Sequence, residues 1–433
     1  MRLPSGFRDI SSNMAILYET VLDKIKKVFR LYGFEPLYTP HLELWETLRG
    51  KYGDEAEKLL IWRFEDVWSK EWYALRYDHT VPLARHFSSA SYALPFKRYT
   101  IGSVFRHERP QRGRFREFMQ ADADIVGSPY PEADAELINL VYDTMCVLGF
   151  SEFKILLSDR RILTGILRSK FGIKDELAVF RAIDKLDKIG RDGVRKELER
   201  YLPSSYVEEI LEIISISGSL DECLKKLESE FSNSLSSLGI EHLREMSRYI
   251  LERAKRNVEF SLELVRGLDY YTGPVWEVIV EGIAIGSVGG GGRYDELLRI
   301  YTKMDVPATG TSFGIDRLIE SGIQAGIFNI ASPPKVFIIS MLPDAYSYAW
   351  SIAYELRASG IPTELDLMRR KHSKQREYAK KKGGAVFVFV GKKEIENKTL
   401  AIFYEGERHE MPKNDAVKFI CRLLKDYLTT HQS

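Results

Sequence analysis

Residues 97–124 read KRYTIGSVFRHERPQRGRFREFMQADAD, and their alternation sets the fold class. The stretch is strand, turn, strand, and side chains in the second half divide with period two, as an extended strand requires. One face carries Arg114, Arg116, Phe118, Gln120, Asp122 and Asp124; the other carries Phe115, Met119, Ala121, Ala123 and Ile125, with Glu117 the lone polar intruder. One face is therefore expected on a core, while the other presents cations at its start and carboxylates at its end. The turn adds Glu108, Arg109 and Arg112, and the first strand ends in Arg106. Guanidinium forks match phosphate oxygens, and a carboxylate pairs an α-amino group. Such a face suits a ligand with phosphate at one end and ammonium at the other, such as a nucleotide with an amino acid. A merely solvated strand face is the plain alternative.

Working outward, residues 15–32 carry Leu17, Val21, Ile25, Val28 and Phe29 near helical spacing, and Gly33 ends that helix. Residues 34–40 are extended, because positions before proline avoid the helical region. Residues 131–148 read as another helix. Residues 161–256 differ in texture: Leu, Ile, Lys and Glu at helical spacing mark a mostly helical insertion. Strand character returns at 274–281. Loop chemistry at 328–334 marks a boundary, beyond which the order is strand, helix, strand, helix, strand, hairpin, helix. The apolar runs 336–339 and 385–390 suit buried strands of a small α/β domain.

Four further segments carry candidate chemistry. VRGLDYYTG (265–273) gathers an arginine, an aspartate and two tyrosines around two glycines. Arg266 there could stabilise developing charge, although a structural turn with a tyrosine packed inward would read the same. GSVGGGGRYDELL (286–298) fits neither the dinucleotide nor the P-loop glycine pattern. Its glycines let a backbone approach a ligand closely before a helix expected near Asp295. TGTSFGIDRL (309–318) reads as a strand entering a helix, with Arg317 where a helix start favours anions. MRRKHSKQREYAKKK (368–382) holds only Glu377 against its cations, so it is either a solvated helix face or a phosphate-tracking RNA surface.

At 433 residues the chain implies two or three domains. No window approaches the length of a membrane helix, so no membrane association is expected, and no secretory signal opens the sequence. Three scattered cysteines form no disulfide framework, and no zinc-binding spacing occurs. A cytoplasmic location is expected. The net charge of +1 confines any nucleic-acid binding to local patches.

Together and in this order, the segments resemble the histidyl-tRNA synthetases, a class II synthetase family, over essentially the whole chain. FRHER (105–109) with GRFREF (113–118) resembles motif 2, TSFGIDR (311–317) motif 3, and GFEPLYTP (33–40) the dimer-forming motif 1. RGLDYY (266–271) and GGRYD (291–295) resemble the two histidine-specific signatures, and LRYDHT (75–80) the early substrate loop. LLSDRRIL (156–163) and DKLDK (184–188) look more like archaeal and eukaryotic members. Asp78-His-Thr80 stands where many bacterial members have Glu-Gly-Thr, and PSGFRD (4–9) lacks the usual arginine after proline.

The resemblance implies an α+β fold: a class II antiparallel sheet flanked by helices, with a helical insertion and a C-terminal α/β anticodon-binding domain. The catalytic domain would span 1–330, interrupted by the insertion at 161–256, which would approach the tRNA acceptor arm; the anticodon domain would span 334–433. The implied activity is ATP-dependent formation of histidyl-adenylate, then transfer to the 3′ end of the histidine tRNA, by a homodimer. Arg106 would hold the α-phosphate and the histidine carboxylate, Glu108 adenine or the ATP framework, Arg317 the γ-phosphate side, and Arg114 the ATP. Asp78, Thr80, Gln120 and Asp124 would hold the amino acid, with Tyr270 and Tyr271 around its imidazole. Arg266, with Arg106, would be catalytic by stabilising the transition state. Mg²⁺ would accompany ATP, its ligands unassigned. The rival implication is a synthetase-like regulatory subunit of ATP phosphoribosyltransferase; such paralogues tend to lose catalytic arginines and the anticodon domain, both kept here.

Overall fold

In the computed structural model, which describes residues 2–52, 56–110, 113–231, 233–265, 270–302, 304–330 and 335–432, the chain splits into two compact units, Met1–Asn329 and Ile330–Ser433. In the first unit the strands are β1 (Glu35–Pro36), β2 (Leu42–Leu44), β3 (Arg63–Glu65), β4 (Trp72–Leu75), β5 (Phe96–Phe105) and β6 (Glu117–Val126). They continue as β7 (Phe153–Asp159), β8 (Ser217–Gly218), β9 (Val258–Ser261), β10 (Pro274–Val280), β11 (Gly289–Arg293) and β12 (Ala308–Gly314). Nine form one sheet in the order β1-β5-β6-β12-β11-β10-β7-β9-β8. It is antiparallel from β5 through β7, with parallel pairs β1–β5 and β7–β9 near its edges. Strands β2, β4 and β3 form a small separate sheet.

The alternation of β6 decides which face is buried. Ala121 and Ala123 are completely buried and Ile125 nearly so, in one apolar cluster with Leu17, Val21, Ile25 and Phe29 of helix Ser12–Leu31 and Ile138 and Val141 of helix Pro131–Leu148. Helix Pro131–Leu148 starts on proline, whose missing N–H costs nothing there, and stops at Gly149 with φ 96°. Helix Ile315–Gln324 packs beside them through Ile315, Leu318 and Ile319. With these helices on one face, the opposite face of the central strands is left to the site.

Between β7 and β9 the chain runs through helices Arg160–Phe171, Glu176–Ile183, Leu186–Leu198, Ser204–Ile214, Leu220–Glu230 and Ser234–Tyr249. Asp159 caps the first by accepting Arg161 N–H at 2.9 Å. The buried residues of these helices, Ile162, Leu211 and Leu243 among them, join the same apolar cluster as the central strands.

The second unit has the sheet order β14-β13-β15-β16-β17 for β13 (Lys335–Ser340), β14 (Thr363–Leu365), β15 (Gly384–Val390), β16 (Thr399–Tyr404) and β17 (Glu407–Pro412). Strands β13, β14 and β15 are parallel, and β15–β17 antiparallel. Val336, Ile338, Val386, Val388 and Ile402 pack against Ile352 and Leu356 of helix Tyr346–Ala358. No helix among the described residues is long and apolar enough to cross a membrane.

Candidate active site

Residues 118–124 keep the alternation foreseen from sequence, but the segment before them does not. Strand β6 begins at Glu117, not at Arg114. Arg116, expected on the ligand face, turns away: its N–H donates to Gly6 O at 2.9 Å and its side chain to Glu108 O and Ser5 O. Phe115, expected in the core, stands under the Arg8 guanidinium at 3.8 Å and lines the cavity. The N-terminal segment supplies backbone partners that a free strand would lack, and so overrides the period. The helix expected near Asp295 forms only at Arg299–Thr302.

A cavity of about 400 Å³ opens on the exposed face of the central strands. It is lined by Asp78, Thr80, Arg106, Glu108, Arg114, Gln120, Asp124, Tyr270, Tyr271 and Arg317, which the sequence had singled out from separate segments. Arg266, with Gly267, Leu268 and Asp269, lies outside the described residues, as does Arg112.

The two ends differ in charge. At one end Arg106, Arg114 and Arg317 converge. Arg317, in the first turn of helix Ile315–Gln324, donates to Ser287 O at 3.0 Å and Gly113 O at 3.4 Å. Burial, then repulsion from Arg114 and Arg106, lowers its pKa, so an anion placed among the three would be stabilised. Burial also works against the charge on Arg106, but Tyr77, Glu108, Asp78 and Tyr270 outweigh it and raise its pKa. Its guanidinium lies 4.3 Å from the Tyr77 ring. Asp316 fixes the helix start by accepting Met119 N–H at 2.8 Å and the Tyr18 hydroxyl at 2.9 Å, and by pairing with Arg8.

The other end is acidic. Asp78, Asp122 and Asp124 are each 2–3% exposed. Asp124 faces Arg98 at 2.9 Å and accepts the Tyr294 hydroxyl. Asp78 accepts Tyr52 O–H at 3.0 Å, Val81 N–H at 3.1 Å and Tyr270 O–H at 3.2 Å. Burial raises the pKa of both carboxyls, opposed by those donors and by Arg98 and Arg106. Tyr270 stacks edge-on against Tyr271 and Tyr294, with ring centroids 5.1 and 5.7 Å apart. His79, which stands between Asp78 and Thr80 in the early loop, does not line the cavity: it is buried, its Nε2 is 3.2 Å from Gly102 O, and its carbonyl accepts Arg98. Burial and the nearby Arg76 and Arg98 hold it neutral.

The glycine run is strand β11, one wall of the cavity. A Cβ on Gly291 would lie 2.1 Å from Gly310 O and 2.7 Å from the Trp276 ring, and one on Gly292 2.8 Å from Tyr271. These glycines let strands and aromatic rings meet. Arg293, next in line, is buried and holds Asp134 Oδ2 at 2.7 Å, with the carbonyls of Ser128 and Tyr130. His242 of helix Ser234–Tyr249 meets the same Asp134 oxygen at 2.8 Å.

Asp122, placed on the ligand face from sequence but given no role, lines the cavity, as do Tyr294, Trp276, Glu277 and Ser312, for which no role was foreseen. Asp122 and Tyr294 had a signal, the first in the period of β6 and the second in GGRYD. Asp184 and Lys188 of the inserted segment also line it, and no local pattern foretells that.

The family model described as histidyl-tRNA synthetase matches residues 6–318, and one described as anticodon binding domain matches 335–423. A histidine–tRNA ligase of Aeropyrum pernix is 49% identical over 430 residues, covering 98% of each chain. One of Korarchaeum cryptofilum is 49% identical over 405 residues, 93% of this chain and 94% of that one. The crystal structure of a histidyl-tRNA synthetase from Nostoc sp. superposes with a TM-score of 0.84 at 29% identity, covering 98% of this chain and 99% of that one. With a family model matching well over half of its length and relatives of this identity along nearly all of it, the chain belongs to the histidyl-tRNA synthetase family.

Proposed function

We propose that the cavity performs the two-step reaction of a histidine–tRNA ligase: the histidine carboxylate attacks the α-phosphorus of ATP, releasing pyrophosphate, and the adenylate then acylates the terminal ribose of the histidine tRNA. The chain is an aminoacyl-tRNA synthetase with that ligase activity. The observation that carries the site reading is the polarity of one cavity, with three convergent arginines at one end and three buried carboxylates at the other. ATP lies along Arg106, Glu108, Arg114 and Arg317. Histidine's ammonium and neighbouring atoms lie among Asp78, Thr80, Gln120 and Asp124, and its ring against Tyr270 and Tyr271. Arg106 reaches both substrates at the point of attack, and Arg266 stabilises the transition state. Fixed cations and alignment supply the catalysis.

Mg²⁺ binds ATP phosphates with one or two carboxylates. Glu108 and Glu277, which both line the cavity and act on Arg317, fit that donor set. The ion would neutralise phosphate charge; the arginines and Gln120 orient the reactants.

The anticodon-binding unit serves tRNA recognition, and we assign its contact to helix His372–Lys381 and the basic segment before it, where Arg369, Lys371, Lys374, Arg376 and Lys380 are exposed. We place the inserted helices 161–256 against the acceptor arm, the working form as a homodimer through the 33–40 segment, and the site of action in the cytoplasm. The regulatory-subunit alternative is disfavoured, because the relatives named as ligases match along both units. The test is ATP–pyrophosphate exchange across a panel of amino acids. Exchange is expected with histidine alone, and exchange with a different amino acid refutes the assignment.

A further inference from the structure

We propose that Asp122 is a second carboxylate of the amino-acid subsite, one that meets the imidazole beside Asp124 and shares a single proton with the ring. The proposal rests on the histidine reading of the cavity. Asp122 and Asp124 are neighbours on one face of β6, one two-residue step or about 6.7 Å apart along the strand. Both are buried and both line the cavity. Gln120 lies one step nearer the arginines on the same face, so a histidine whose ammonium is held by Asp78, Thr80 and Gln120 extends its ring, the neighbouring atoms at Asp124, towards the two aspartates.

The groups around Asp122 leave it short of positive charge. From β5 it faces Arg98 and Thr100, the latter its register partner. From β6 come Gln120 and Asp124, and from β12 its register partner Ser312, whose Oγ donates to Oδ1 at 2.5 Å. The segment before helix Thr80–Phe87 brings Arg76, Asp78 and His79, and Tyr271 stands across the cavity within electrostatic reach. Arg98 pairs with Asp124 and the His79 carbonyl. Arg76 is committed to the carbonyls of Ser103 and Thr39, and His79 is neutral. Among the described residues no ion pair joins Asp122 to an arginine. Burial, with Asp124 nearby, lifts its pKa to about 7, against Arg98 and the Ser312 hydrogen bond.

An imidazole has one nitrogen to donate and one to accept when neutral, and two donors when charged. Asp124 takes one N–H. The second nitrogen either accepts from the protonated Asp122 carboxyl or donates to its anion; each arrangement holds one proton between ring and carboxyl, and no other bond changes. Above pH 7 the free site has lost that proton, so histidine binding must draw one from solvent.

The test is isothermal titration of the full chain with histidine at pH 8, in buffers of different ionisation enthalpy. With a free imidazole pKa near 6.5, binding is expected to take up about 0.9 proton at pH 8 and to release about 0.7 at pH 6. The Kd should weaken by up to about tenfold per pH unit above 7. Asp122→Asn should abolish the uptake at pH 8, and Ser312→Ala, which removes a donor to the anion, should move its onset to higher pH. Histidine binding by the unaltered protein without proton uptake at pH 8, or uptake that persists in Asp122→Asn, overturns the proposal and leaves the histidine reading standing. No histidine binding by the unaltered protein at either pH overturns both.

Discussion

Arg317→Met separates the part an arginine plays in the fold from the part it plays towards a ligand. In the free protein the guanidinium makes one good hydrogen bond, to Ser287 O at 3.0 Å, and one long one, to Gly113 O at 3.4 Å. Both acceptors are neutral carbonyls, and burial with Arg114 and Arg106 disfavours the charge. Removing the group should therefore cost the fold no more than about 1 kcal/mol. Against a polyphosphate the same group would make charge-assisted bonds, each contributing about 1.5–3 kcal/mol. At 1.36 kcal/mol per decade, losing one such bond raises the KM for ATP about 13- to 160-fold. The assay is pyrophosphate exchange with ATP varied at saturating histidine, then histidine varied at saturating ATP, with thermal unfolding alongside. The expected pattern is a large rise in KM for ATP, little change in KM for histidine, and a melting midpoint within about 3 °C of the parent. A KM for ATP within threefold of the parent, or an equal rise for histidine, would refute the placement of the phosphate end.

Three further outcomes test other links. A buried carboxyl with a raised pKa favours the folded state below its unfolded value near 3.9 and loses that contribution as pH rises towards about 7; Asp122→Asn should therefore gain melting temperature over the parent at pH 8 and lose most of that advantage by pH 5, and an equal gain at both would exclude the titration. Arg293→Met leaves the buried Asp134 with His242 as its hydrogen-bonding partner among the described residues and Arg161 at longer range, a loss of about 3–5 kcal/mol; adding Asp134→Leu should recover part of that in denaturant unfolding, whereas losses that simply add would deny the coupling. Arg266→Ala should slow single-turnover adenylate formation by orders of magnitude while histidine still binds, and near-normal rates would remove it from the chemistry.

The sequence by itself determined the elements whose period is local. Helix Ser12–Leu31, the alternation of β6 from Phe118 to Asp124 and the strand-to-helix run at β12 follow from side-chain spacing, because each needs only one buried face to define it. It also nominated the arginines and carboxylates of the cavity, since charges placed on an element with a buried opposite face have few other uses. Tertiary structure decided what depended on partners distant in the chain. Arg116 left the ligand face because Ser5 and Gly6 offered it carbonyls. Asp122 became a titrating group because β5 and β12 bury it beside Asp124, while the nearby arginines have other partners. Asp184 and Lys188 came to the cavity through the packing of inserted helices. Spacing can place a side chain on a face; its charge state and neighbours depend on desolvation and on contacts that only the assembled sheet creates.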